Sequence, residues 1–189
     1  MKKLQLLPFV LIFSLQVYAQ TKENNTGAKW SYAAMDSAIQ SHKGKPYMSF
    51  DFTSFDGKRF TNESCKGKVT FISFWFESCG GCRTEFPQIN KLYESIRSNP
   101  DFQFISVTFD PKESLPEFIK ENKINFPVAT VSDIDLFKKL NYGMGCPSIL
   151  ILDARGMVGL LGLNAVSETG DQERQISIGT ILNTMHKML

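Results

Sequence analysis

The sequence predicts an α/β fold, a central sheet of mixed strand direction flanked by helices. Three observations carry that expectation. Val69 to Phe76 and Phe102 to Phe109 are nearly continuous apolar runs, the composition of strands covered on both faces. Each is followed by a segment with helical spacing of its apolar residues, the alternation expected of a layered α/β domain. Near the C-terminus, Ser148 to Leu152 and Met157 to Leu161 flank the turn residues Asp153-Ala154-Arg155-Gly156, so one pair of strands must run antiparallel. With 189 residues, 42% of them hydrophobic and 12% aromatic, the chain can bury a substantial core, which excludes global disorder.

The first 19 residues read as an address rather than as structure. Lys2 and Lys3 give a positive start, Leu4 to Val17 is mostly apolar, and Val17-Tyr18-Ala19 puts small or apolar side chains at the −3 and −1 positions of a cleavage before Gln20. That is the layout of a secretory signal peptide. An uncleaved anchor is the alternative, but about 20 apolar residues are needed to span a bilayer and this run is shorter and interrupted. Cleavage would leave a soluble, exported protein with no integral membrane segment, in a periplasmic or extracellular compartment that permits disulfide chemistry.

Residues 20–45 form a leader: a polar stretch to Gly27, then a short helix over about 28–42 with Trp30, Ala33, Ala34 and Ile39 as a weak apolar stripe. The folded domain is expected over 46–189. Its first element is a hairpin, Met48 to Phe52 and Arg59 to Thr61 around Asp56-Gly57. The strand at 69–76 follows, then a helix over 80–97 that lines up Phe86, Ile89, Leu92, Tyr93 and Ile96. After the strand at 102–109 come a helix over 112–122 (Leu115, Phe118 and Ile119 inward), a short strand at 127–130 and a short helix at 133–140. The C-terminal hairpin and an amphipathic helix over 172–189 close the chain.

Charge excludes one class of partner. Lys plus Arg number 21 against 19 Asp plus Glu, and two of the positives sit in the expected signal segment. A body so close to neutral offers no electrostatic case for nucleic acid.

The chemistry concentrates at Cys79-Gly80-Gly81-Cys82, where a buried strand hands over to a helix. Unpaired N–H groups and the dipole at a helix start stabilise an anion, so the first thiol should ionise below the free value of about 8.5. Positions i and i+3 share a helix face, which sets Cys82 beside Cys79 and lets the pair close a disulfide. Two thiol exchanges follow: Cys79 attacks a partner disulfide, and Cys82 then displaces the partner. A structural staple is the first alternative, but so small a loop adds little stability. A zinc site would need two more ligands, and the remaining Cys65, Cys146, His42 and His186 lack paired spacing. No metal or other cofactor is expected.

The stretch Phe74-Trp75-Phe76-Glu77-Ser78-Cys79-Gly80-Gly81-Cys82-Arg83-Thr84-Glu85-Phe86-Pro87 resembles the active-site segment of the thioredoxin superfamily, and within it the exported TlpA/ResA-type thiol–disulfide oxidoreductases. The resemblance runs from about residue 46 to the end, through Phe55 to Lys58, Gly67-Lys68-Val69, Asn125 to Val128, Cys146-Pro147-Ser148 and Asp153 to Gly156. It implies a thioredoxin fold with an added N-terminal hairpin and a strand–helix insertion. It implies protein disulfide or dithiol substrates, apocytochromes or misoxidised exported proteins among them, and a membrane-borne thiol donor feeding a reductive cycle.

Further residues carry over from the resemblance. Pro147 is expected to be cis, to face the cysteine pair and to hold an extended partner segment. Glu85 is placed to tune thiol ionisation or to accept a proton from Cys82; a solvated first-turn Glu favoured by the dipole is the alternative. Trp75 is expected in the core or in the wall of the site, and with Pro147 and Cys146 it is counted among the residues that would meet a partner. Three positions depart from the pattern: Phe76, Ser78 and Gly81 stand where Ala, Trp and Pro are more usual. The buried Asp six residues before the first cysteine in classical thioredoxins is Ser73.

Two cysteines lie outside the motif. Cys146, directly before Pro147, could form a side disulfide or gate access, or simply pack as a small buried thiol. Cys65 precedes the strand whose far end leads to Cys79. Seven residues at ~3.3 Å place those ends about 23 Å apart, against ~6 Å between the Cα atoms of a disulfide, so Cys65 should be a free thiol. Two other functions compete. A peroxiredoxin-like peroxidase would show a PxxxTxxC pattern, and Phe71 to Ser78 contains neither the Pro nor the Thr. A metal-carrying module of this fold would use CxxxC, one residue longer than the spacing here.

Overall fold

The computed structural model describes residues 32–163, 166–167 and 176–189. The expected signal segment and residues 20–31 of the leader lie outside them. Helix α1 (Tyr32–His42) comes first. The hairpin of β1 (Asp51–Thr53) and β2 (Arg59–Thr61) follows, then the single turn α2 (Asn62–Cys65). Next are β3 (Val69–Phe74), α3 (Gly80–Ile96), β4 (Phe102–Thr108), α4 (Leu115–Glu121), β5 (Val128–Thr130) and α5 (Ile134–Leu140). The C-terminal part holds β6 (Ser148–Leu152), β7 (Val158–Leu163), β8 (Val166–Ser167), β9 (Ile176–Ser177) and α6 (Ile178–His186). The chain divides into two units, Met1–Ala38 and Ile39–Leu189, and every element after α1 belongs to the second.

Side-chain alternation along the buried strands builds two cores on opposite faces of one sheet. Val69 and Phe71 of β3, Phe102 and Phe104 of β4, and Ile149 and Ile151 of β6 share a face with Phe86, Ile89, Leu92 and Ile96 of α3 and Ile181 and Met185 of α6. Ile72 and Phe74, Ile105 and Val107, and Leu150 and Leu152 point the other way, to Phe137 and Leu140 of α5 and to Phe52 and Phe60 of the hairpin. The five strands run in the order β5-β4-β3-β6-β7. β3, β4 and β5 are parallel, while β6 is antiparallel to β3 and to β7. This is the predicted mixed sheet, with the thioredoxin topology.

Three boundaries moved. The first hairpin strand was expected from Met48 but starts at Asp51, because Asn62 satisfies the preceding backbone with its side chain. Its Oδ1 accepts the Phe50 N–H at 2.9 Å and its Nδ2 donates to the Met48 carbonyl at 3.1 Å. The helix expected over 112–122 is confined to Leu115–Glu121, behind a turn that begins at Pro111. The last helix begins at Ile178, where the Ser177 side chain caps the Thr180 N–H at 3.1 Å. Ile176 and Ser177 pair in parallel with Val166 and Ser167 instead, and residues 171–175 lie outside the described residues.

Candidate active site

The central strand delivers the chain to the site and two hydrogen bonds shape its arrival. Trp75 extends the β3–β4 ladder by one residue, its N–H donating to the Val107 carbonyl at 3.2 Å. The backbone then turns, with the Cys79 N–H donating to the Phe76 carbonyl at 3.0 Å. Between them, the Glu77 N–H donates to Asp110 Oδ2 at 2.7 Å, across 33 residues of sequence. Asp110 is itself fixed, since its carboxylate accepts the Thr108 hydroxyl and its carbonyl accepts the Thr130 hydroxyl at 2.7 Å. Sequence reasoning missed Asp110. Its only local signal was an Asp-Pro pair closing a buried strand.

Cys79 is the N-cap of α3, in extended conformation at φ −78° and ψ 100°. Its Sγ accepts the Cys82 N–H at 3.1 Å, the contact a capping oxygen makes at an ordinary helix start. A sulfur so placed is stabilised as an anion by the N–H and by the helix dipole together. Cys79 and Cys82 are joined in a disulfide with Cα atoms 5.3 Å apart. Cys82 is 1% exposed and Cys79 6%, whereas Ser78, Gly80 and Gly81 around them are open to solvent. Of the two cysteines, the first is the less enclosed.

Pro147 completes the site, and the Cys146–Pro147 bond is cis as expected. Its ring lies against the helix start: a Cβ built on Gly81 would stand 3.4 Å from Pro147 Cδ. Cys146 is a free, half-buried thiol packed against both cores, in keeping with the small-buried-thiol alternative. Burial first, then the charges of Asp110 and Glu85, push its pKa up to about 12. The same interaction puts Glu85 within electrostatic reach of Cys146. Glu85 lies on α3 three residues beyond Cys82 and is only 6% exposed, so the solvated alternative does not hold.

Trp75 requires a correction. It was placed among the residues that meet a partner, yet it is 1% exposed. Its ring stacks on Phe118 at 5.5 Å and meets Phe86 edge-on at 5.3 Å. It is a pillar beneath the site, with no face left to touch a partner. The aromatic side chains closer to the surface are Phe76 and Phe109, half-buried, with ring centroids 5.3 Å apart.

Cys65 is free, as the strand length predicted. It is buried at the other end of β3 and takes a hydrogen bond from Gln103 Nε2 at 3.2 Å. Burial raises its pKa despite that donor. Among the described residues, no group of three or more His, Cys, Asp or Glu side chains converges to hold a metal ion. No helix among them is long and apolar enough to cross a membrane.

Sheet order, the cis proline and a CxxC pair at a helix mouth define a thioredoxin-fold protein of the redox-cysteine class. Comparison with known proteins narrows this: the chain belongs to the AhpC/TSA family, whose model matches residues 44–160. It is similar to the thiol–disulfide oxidoreductase ResA of Bacillus cereus, 31% identical over 119 residues that cover 61% of this chain and 66% of that protein. It is also similar to the thiol:disulfide interchange protein DsbE of Pseudomonas aeruginosa, 28% identical over 120 residues covering 61% of this chain and 63% of the relative. The chain thus spans just under two thirds of the length of these relatives. A crystal structure of a thioredoxin-family thiol:disulfide interchange protein from Chlorobium tepidum superposes with a TM-score of 0.60 at 22% identity, over 77% of this chain and 97% of that one. That likeness is one of fold.

Proposed function

We propose that this protein is an exported thiol–disulfide oxidoreductase that exchanges disulfides with other proteins, acting mainly as a reductant. The observation that carries the reading is Cys79 at the N-cap of α3, its sulfur bonded to Cys82 and accepting the Cys82 N–H. A staple would not need a helix mouth, while a nucleophile does. The names of the relatives, thiol–disulfide oxidoreductase and thiol:disulfide interchange protein, support it.

The cycle starts from the dithiol. The Cys79 thiolate attacks one sulfur of a partner disulfide; that S–S bond breaks, a mixed disulfide forms, and the partner's other sulfur leaves as a thiolate that takes up a proton. Cys82 then loses its proton, for which the buried Glu85, three residues further along α3, would be the acceptor, and attacks Cys79 Sγ. The second partner sulfur leaves, two electrons have passed to the partner, and the protein is left with its Cys79–Cys82 disulfide. Pro147, with Cys146 before it, holds the partner's extended segment beside Cys79 by strand addition. A thiol donor at the membrane would restore the dithiol, and residues 1–19 would be the export signal. Apocytochromes awaiting haem and misoxidised exported proteins fit as substrates.

A Cys82→Ala variant expressed in the native host tests the reading. Partners should accumulate as mixed disulfides on Cys79 and identify the substrate. Recovery through Cys82 in a Cys79→Ala variant, with none through Cys79, would reverse the two roles. Peroxide consumption by the purified protein, without protein-disulfide exchange, would favour the peroxidase alternative.

A further inference from the structure

The loop that carries Pro147 to the cysteine pair is held by one buried side chain that the proposed chemistry does not use. Asn141 ends α5 and is 1% exposed. Its Oδ1 accepts the Gly143 N–H at 3.1 Å and its Nδ2 donates to the Gly145 carbonyl at 3.1 Å. The amide therefore bridges two points of the loop between α5 and β6. The backbone it braces is an uncommon one: Tyr142, Gly143 and Gly145 all have positive φ, at 55°, 70° and 78°. For Tyr142 that conformation costs energy that surrounding contacts must offset. The His42 ring supplies one, stacked on Tyr142 at 3.8 Å. Backbone bonds from Gly143 N–H to the Lys138 carbonyl (2.7 Å) and from Met144 N–H to the Asn141 carbonyl (3.0 Å) complete the brace.

Gly145 is two residues from Pro147, and the Pro147 ring stands in van der Waals range of the Gly81 position at the helix start. The Gly145 carbonyl is thus the point at which the loop's path toward the cysteine pair is set, and Asn141 holds it.

We propose that Asn141 is a positioning residue for partner recognition: it fixes the register of Cys146-Pro147 against Gly81, and so sets how well an extended protein segment seats beside Cys79. This rests on the proposed protein-disulfide exchange and adds a division of labour within it. Small disulfides reach Cys79 without the loop's help, whereas protein disulfides need the seat.

The test uses Asn141→Asp, nearly identical in shape. The ionised carboxylate still accepts from Gly143 but sets an anionic oxygen against the Gly145 carbonyl in place of a donor. The readout is the ratio of kcat/KM for insulin disulfides to that for 5,5′-dithiobis(2-nitrobenzoate), in which a change in Cys79 ionisation cancels. At about pH 8 the ratio should fall by about tenfold, the effect of a lost buried hydrogen bond, carried by KM for insulin. At about pH 5 the ratio should recover toward wild type, because a protonated, buried Asp regains the donor. A role confined to stability would lower both rates alike and leave the ratio unchanged. If Asn141→Asp does not fold, Gly145→Ala serves: its Cβ meets nothing within 4 Å, so it perturbs the loop's φ of 78° alone, and the ratio should again fall. A ratio unchanged in the variant at both pH values, while wild type reduces insulin, overturns the inference. A wild-type protein inert toward insulin would instead count against the parent function.

Discussion

The two ends of β3 each present a cysteine, and the contrast between them shows what makes a thiol chemical. Before the strand, Cys65 is enclosed, takes a side-chain hydrogen bond from Gln103, and has its pKa raised by burial. After it, Cys79 also has little exposed surface, but it stands on a helix start, takes a backbone N–H, and is flanked by exposed Ser78, Gly80 and Gly81. Burial alone works against thiolate, whereas a backbone donor and a helix dipole favour it, and only Cys79 has both. Cys146 sharpens the lesson. It sits beside the redox pair, yet burial and the charges of Asp110 and Glu85 hold it protonated. On the proposed cycle, a third thiol in the neighbourhood would thereby be kept from competing with Cys82 as resolving nucleophile.

The largest expected effect breaks the contrast outright. Cys79→Ala should reduce protein-disulfide turnover to background, while Cys65→Ala leaves it within about twofold, because only the first removes the proposed attacking atom. Insulin reduction measures both, and equal losses would remove the distinction between the two ends. Next is alkylation of the reduced protein at pH 7, followed by mass spectrometry. With a pKa of about 12, Cys146 is ionised to roughly one part in 10⁵, so Cys79 should react at least about a thousandfold faster. The Cys146 rate should climb tenfold per pH unit through about pH 11, and a plateau near neutrality would contradict its assignment.

A smaller effect separates support from contact at the cysteine end. Trp75→Ala should cost about 3–5 kcal/mol of stability, as expected for a buried aromatic, read by urea unfolding. An unchanged midpoint with a raised KM would return Trp75 to the docking surface. The smallest effect lies at the opposite end of the sheet. Burial would raise the Asp153 carboxyl, but the N–H groups of Met157 and Arg155, at 2.9 Å each, and the Arg155 guanidinium outweigh it and hold the group below its ordinary value of 3.8. A lowered native pKa stabilises the fold above the unfolded value and loses that contribution as pH falls through the native one. Asp153→Asn should therefore cost about 1–2 kcal/mol at neutral pH. The gap from wild type should narrow below about pH 3.8, and a gap constant with pH would show that the charge plays no part.

How far the sequence reached follows from where each interaction lies. β3, β4 and α3 were legible because their signals are local: unbroken apolar runs, and a helical stripe from Phe86 to Ile96. The cysteine pair was legible for the same reason, as spacing at a strand–helix junction. Asn62, Asp110 and Asn141 were not. Asn62 replaces a ladder bond across 12 residues and Asp110 fixes Glu77 across 33, and a polar side chain in a loop does not announce its distant partner. Asn141 acts within four residues, but on a backbone of positive φ that only the folded loop reveals. The short β8–β9 pairing was missed because two-residue strands carry no periodicity.

The most direct measurement is a stoichiometric exchange. The protein is reduced, freed of reductant and mixed with oxidised insulin, and the bonds on both sides are counted by mass spectrometry. One insulin disulfide should open for each Cys79–Cys82 disulfide that forms, with Cys65 and Cys146 still thiols. Insulin left intact beside a protein that keeps both Cys79 and Cys82 reduced would contradict the account.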